Sequence, residues 1–161
     1  FAWTALELRA RGRPIDARAS ATPAERRLMA ASIALLAVQL ALGGLVSSRY
    51  AGLACPEWPT CNGGLWFPSW RGSVGLHLVH RTDGYLLLAA LAGLARISRS
   101  NPRLARWTRA AMGIALVQIA VGIANVLSGL PVEVTGLHSA LAAALVLCAT
   151  GAAHVVWGLS R

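Results

Sequence analysis

The sequence predicts an all-α integral membrane protein built as a four-transmembrane-helix up-down bundle. Three observations carry that expectation. The chain of 161 residues is 56% hydrophobic and only 13% charged, whereas a soluble domain is ordinarily about a quarter charged. Three runs, 28–48, 110–132 and 134–160, contain no charged residue. Each exceeds the roughly 20 residues that a helix needs to span the hydrocarbon core. The connections around 96–106 and 128–131 are short, which sets sequential helices antiparallel.

Taken in order, Phe1-Ala-Trp-Thr-Ala-Leu reads as the last turn of a preceding helix, and 7–27 as an Arg-rich, Pro-containing linker. A signal peptide places its positive charges before the apolar part, the reverse of this order. The expectation is a chain that forms the C-terminal part of something longer. Helix 1 is expected over 28–48, followed by a loop over 49–73. Helix 2, over 74–95, carries His77, His80, Arg81 and Asp83 near its start. Asn101-Pro102 breaks the chain before helix 3, over 107–128. Helix 4 follows a tight turn and runs over 135–159. Residues 28–161 then form one membrane domain.

The net charge of +9 reports topology. All fifteen basic residues are Arg, six of them before helix 1 and five (Arg96, Arg99, Arg103, Arg106, Arg109) between helices 2 and 3. Positive residues mark the cytoplasmic side, so both ends of the segment face the cytoplasm and the 49–73 loop faces outward. This distribution argues against nucleic-acid binding. All-Arg basic usage with Ala-rich helices suggests a GC-rich bacterium, and the expected location is its inner (plasma) membrane.

A weak repeat relates the two hairpins. Gln39 and Gly43 of helix 1 match Gln118 and Gly122 of helix 3, and Gly75-Leu76-His77 matches Gly136-Leu137-His138. Small residues allow close helix approach and a glutamine can hydrogen-bond across the interface; packing alone accounts for both glutamines at this level.

His80 and His138 carry the chemistry. Ionisable side chains inside a bilayer are costly and rare. Two imidazoles at one level of a bundle can supply both axial ligands of a haem iron lying between helices. His77, one turn before His80, is the rival ligand. His154 lies about 24 Å from His138 along helix 4 and reads as structural. Cys55 and Cys61 stand in the outward loop, where disulfides persist, and a metal site needs more ligands than that loop offers. Cys148 reads as a small packing residue. Trp58, Trp66, Phe67 and Trp70 belong at the headgroup level, where the loop would roof the pocket. Arg49, Arg71 and Arg81 are near enough to the outer surface to pair with haem propionates, with snorkelling as the alternative for Arg81. Asp83, one turn from His80, is a candidate acceptor that would orient its imidazole, or an Arg partner.

Gly43-Gly44-Leu45-Val46, the stretch Gly52 to Gly63 containing Cys55-Pro56-Glu57-Trp58-Pro59-Thr60-Cys61, and His80-Arg81 resemble the heme A synthase family. Gln118 to Val126, Leu130-Pro131 and Leu137-His138 resemble its closing hairpin. The resemblance implies one half of a pseudo-two-fold, eight-helix protein that oxidises the methyl group of haem O to the formyl group of haem A for terminal oxidases. It makes His80 and His138 the haem ligands, prefers His80 over His77, and makes Cys55 and Cys61 a disulfide. In the half regarded as catalytic, a Glu stands three residues before the His of the His-Arg pair; here that slot holds His77. The resemblance therefore implies the C-terminal half, with haem b as cofactor and no catalytic residue of its own. The implied partners are the N-terminal half, haem O, a haem O synthase and an electron acceptor. Two alternatives remain at this level. One is a half-size synthase that assembles as a homo-oligomer, with Glu57 as the outer-loop candidate for the acid; Glu133 lies in the opposite outer turn. The other is a non-catalytic haem-binding or oxidase-assembly module.

Overall fold

The computed structural model describes Thr4 and residues 21–158. The expected helix remnant at the start, most of the Arg-rich linker and the end of helix 4 past residue 158 lie outside the described residues. Four long helices follow one another: α1 Pro23–Ser48, α2 Gly72–Ile97, α3 Pro102–Leu127 and α4 Val132–Trp157. Each has 26 residues, about 39 Å at 1.5 Å per residue. Among the described residues, α1, α3 and α4 are long and apolar enough to cross a membrane, so the protein is an integral membrane protein. The polar groups near the start of α2 leave it outside that set.

The helix starts differ from the hydropathy reading for local chemical reasons. α1 begins at Pro23, five residues before the expected 28, because Thr22 and Glu25 form a capping box. The Thr22 hydroxyl accepts from the Glu25 amide at 3.2 Å and the Glu25 carboxylate accepts from the Thr22 amide at 2.7 Å. Two orphan N–H groups at the helix start are thereby satisfied. α3 begins at Pro102 rather than 107. Asn101 is its N-cap, accepting from the Leu104 amide at 3.2 Å, and Pro102 occupies the first turn, where its missing N–H costs nothing. The connector thus shrinks to the 3-10 turn Ser98–Ser100 and the cap. α4 begins at Val132, three residues early.

The helices pack most closely within each hairpin, α1 with α2 and α3 with α4; α2 also lies against α3, and α1 meets α4 more sparingly. The Asn125 side chain accepts from the Thr135 hydroxyl at 3.1 Å, closing the second hairpin. Across the loop end, Gly52 lies so close to Leu130 that an added Cβ would meet its Cδ1 at 2.7 Å.

The apolar core lies in one half of the bundle. Met29 and Leu36 of α1 pack with Leu87, Leu91 and Leu94 of α2, with Leu104, Ala111 and Ala115 of α3, and with Leu145, Ala149, Ala152 and Val156 of α4. All belong to the half nearer the Arg-rich connector or to the middle of a helix. The half nearer the long loop contributes only a small separate cluster of Cys55, Cys61 and Leu78.

Candidate functional site

His80 stands eight residues past Gly72 and His138 six residues past Val132. Their depths from the helix starts are about 12 and 9 Å. Both lie in the half of the bundle that the core leaves out. Each ring faces a glycine of its hairpin partner. A Cβ on Gly43 would come within 3.4 Å of His80 Cε1, and one on Gly122 within 3.0 Å of His138 Cε1. The helices can carry an imidazole at these two layers because the facing residue has no side chain. His80 is within electrostatic reach of His138, His77 and Arg81. The Nδ1 atoms of His80 and His138 are buried without a hydrogen-bond partner.

His77 is differently placed. It is buried at 4% exposure, and its Nδ1 lies 3.0 Å from the Ala51 carbonyl oxygen, tying α2 to the beginning of the loop. Asp83 is buried, with Oδ2 unpartnered.

Arg81 points into the loop. Its guanidinium donates to the carbonyl oxygens of Cys55 and Glu57, both at 2.8 Å, and of Thr60 at 3.0 Å. Cys55 and Cys61 are joined as a disulfide. Opposite the clamp, the Glu57 carboxylate accepts from the Thr60 hydroxyl at 2.8 Å and from the Gly63 and Gly64 amides at 2.9 and 3.1 Å. The Gly64 amide, the Thr60 hydroxyl and the Gly63 amide, in that order, hold this carboxyl below the usual carboxylate range, because all three bonds favour the charged form. Glu57 is thus engaged as a loop anchor, and Glu133 lies in the first turn of α4.

Of the other arginines, Arg49 lines an open cleft with Leu45, Gly72, Ser73 and Leu76, and Arg71 is the N-cap residue of α2. Trp66, Phe67 and Trp70 are exposed, with Phe67 and Trp70 stacked at 5.3 Å. The Trp58 indole donates to the Tyr85 hydroxyl at 3.1 Å. His154 is buried toward the opposite end, and Cys148 packs against the core. The Asn125–Thr135 pair and the Ala51 acceptor of His77 had no visible sequence signal. The glycines facing the histidines did have one, in the repeat.

A family described as COX15-CtaA, cytochrome oxidase assembly protein, matches residues 1–150. The chain belongs to this family. Among its relatives, a heme A synthase of Rhizorhabdus wittichii is 35% identical over 144 residues, covering 82% of this chain and 40% of the relative. A heme A synthase of Paracoccus denitrificans is 38% identical over 108 residues, covering 58% of this chain and 28% of the relative. One from Halalkalibacterium halodurans is 41% identical over 92 residues, covering 54% and 30%. The chain therefore spans well under half the length of these relatives. No solved structure matches.

The residues fit a haem better than a bare ion. Among the described residues, no three His, Cys, Asp or Glu side chains converge as a metal site, and a bare structural ion ordinarily takes four ligands. A porphyrin supplies the equatorial nitrogens itself and asks the protein for only two axial donors. Two imidazoles on separate helices, each cradled by a glycine, meet that demand.

Proposed function

We propose that this chain is the C-terminal, haem-b-binding half of a heme A synthase, the enzyme that oxidises the methyl group of haem O to the formyl group of haem A for terminal oxidases. The observation that carries this reading is the pair His80 and His138, each seated on a glycine at nearly one depth. The fraction of the relatives' length that the chain spans supports a longer whole, read here as an eight-helix, pseudo-two-fold protein with substrate haem O in its N-terminal half.

When bound, haem supplies a one-electron carrier. His80 and His138, one from each hairpin, would hold it, and a haem held by two imidazoles suits electron transfer. Gly43 and Gly122 admit the rings. Arg81, clamped to the loop, fixes the backbone next to His80. Arg49 and Arg71, at the same end, are the cations available to propionates. His77 takes the slot where the catalytic half carries its Glu, so the acid that serves the oxidation belongs to the other half. In this reading the membrane is the bacterial inner membrane, with both ends of the segment cytoplasmic. The partners are the N-terminal half, a haem O synthase and an electron acceptor; sizing the whole protein in detergent reports whether it forms homo-oligomers.

An optical and pyridine-haemochrome spectrum of the full reading frame that carries this chain, beside His80→Ala and His138→Ala, tests the proposal. A low-spin haem b signal lost in both variants is expected. A signal retained in full by either variant overturns the ligand assignment.

A further inference from the structure

The two glutamines of the repeat carry more than packing. Gln39 lies one turn from Gly43 on α1, and Gly84 one turn from His80 on α2. A Cβ on Gly84 would meet Gln39 Nε2 at 3.1 Å, so the Gly43–His80 and Gln39–Gly84 contacts form adjacent layers of one antiparallel pair. In the second hairpin Gly122 faces His138, and Gln118 lies one turn from Gly122. Gln39 Oε1 and Gln118 Oε1 are both buried without a hydrogen-bond partner, as are the Nδ1 atoms of His80 and His138. Each hairpin thus buries one unmatched acceptor and one unmatched ring nitrogen in adjacent layers of its helix pair, a step of about 6 Å along the axis for four residues at 1.5 Å each, which a glutamine side chain can span. Unmatched buried polar groups are costly, and pairing them removes both costs in each hairpin.

We infer that Gln39 and Gln118 are positioning residues for the two axial histidines, their amide oxygens accepting the Nδ1–H of His80 and His138 so that each Nε2 faces the iron. Iron-ligating histidines commonly donate their other ring N–H to an acceptor, which fixes tautomer and ring plane and raises basicity. Asp83, one turn from His80, is the competing acceptor. It has no counterpart in the second hairpin, where Leu141 holds the equivalent place, whereas the glutamines occur in both.

This inference rests on the haem reading, and the test separates the two. The full reading frame is prepared with Gln39→Leu, Gln118→Leu, Gln39→Glu and Asp83→Leu, beside the two His→Ala variants that identify this site's signal. Low-spin electron paramagnetic resonance and a redox titration are recorded. Each Gln→Leu variant is expected to keep a six-coordinate low-spin haem, with shifted g values and a raised midpoint potential, because a less basic imidazole stabilises ferric iron less. Gln39→Glu, a charged acceptor, is expected to lower the potential. Should Gln39→Leu fail to accumulate, Gln39→Glu decides, and an unchanged potential overturns the inference. Wild-type g values and potential in both Leu variants, or a shift in Asp83→Leu alone, also overturn it while leaving the haem reading intact. A wild-type protein with no haem signal sensitive to His80 or His138 overturns the haem reading itself.

Discussion

The guanidinium of Arg81 donates to the carbonyl oxygen of Cys55 across 2.8 Å, fastening the residue that follows His80 to the disulfide-bonded loop. Two further carbonyls, of Glu57 and Thr60, complete the clamp. Order in the loop and the setting of α2 at His80 are therefore one structural problem.

Arg81→Ala removes three charge-assisted hydrogen bonds. Hydrogen bonds to charged groups contribute about 1.5–3 kcal/mol each and are not additive, so a loss of about 2 kcal/mol in local loop stability is expected. Amide exchange at Cys61 and Leu65, whose backbone bond closes the loop, should accelerate roughly thirtyfold, since about 1.4 kcal/mol is tenfold. Arg81→Lys should not restore protection, because an ammonium lacks the planar fork that reaches several carbonyls.

Removing the disulfide with Cys55→Ser and Cys61→Ser frees a short loop, for which chain entropy predicts a loss of about 2 kcal/mol. Because Cys55 also supplies a carbonyl to Arg81, the loss in a protein carrying all three substitutions should fall short of the sum. Exchange rates in the two parents and the combined variant give the coupling. Strict additivity would show that clamp and disulfide act separately.

Glu57 gives the loop a pH dependence of known sign. Its carboxyl is held below the usual carboxylate range by the Gly64 amide, the Thr60 hydroxyl and the Gly63 amide. A lowered folded-state value means the charged form stabilises the ordered loop. That contribution is fully present above the ordinary carboxylate range and is lost as pH falls through the lowered value. Protection factors in the 57–65 segment, with the intrinsic exchange rate divided out at each pH, should be flat from neutral pH and then fall on the acid side; Glu57→Gln should be poorly protected throughout and lack the acid step.

Gly122→Ala should disturb the site more than Gly43→Ala. The added Cβ would stand 3.0 Å from His138 Cε1, against 3.4 Å from His80 Cε1, and the first is tighter than ordinary contact. Overpacking of this kind typically costs 1–3 kcal/mol. A fall of about fivefold or more in haem retention on dilution is expected for Gly122→Ala, with a change near twofold or less for Gly43→Ala. Equal retention in the two variants would show that the glycines do not shape the ligand positions.

Much of the architecture was legible because a bilayer makes the pattern severe: the charge-free runs place α1, α3 and α4 with no tertiary information. What hydropathy misplaces are the starts. Thr22-Pro23-Ala24-Glu25 carries its capping box openly, yet Arg26 and Arg27 draw an apolar reading down to 28. Asn101-Pro102 reads as a breaker when it is a cap followed by a first-turn proline. His80 and His138 stand out in the sequence because ionisable groups are rare in such helices, and the Gly43 and Gly122 correspondence is visible in the repeat. That those glycines face those rings depends on interhelical register, which no local pattern encodes. The same holds for the three carbonyls around Arg81 and for Ala51 beside His77, since both need the loop already folded over α2.

The one-sided core described above has a mechanical consequence. Leucine and alanine packing grips the four helices at the Arg-rich half, and across the loop end Leu130 is pressed on Gly52. His80 and His138 therefore sit outside the packing that keeps the chain folded, resting on Gly43 and Gly122 in a layer to which the main leucine cluster contributes no member. A substitution in that layer can then reshape the site while the fold's main apolar contacts stay in place.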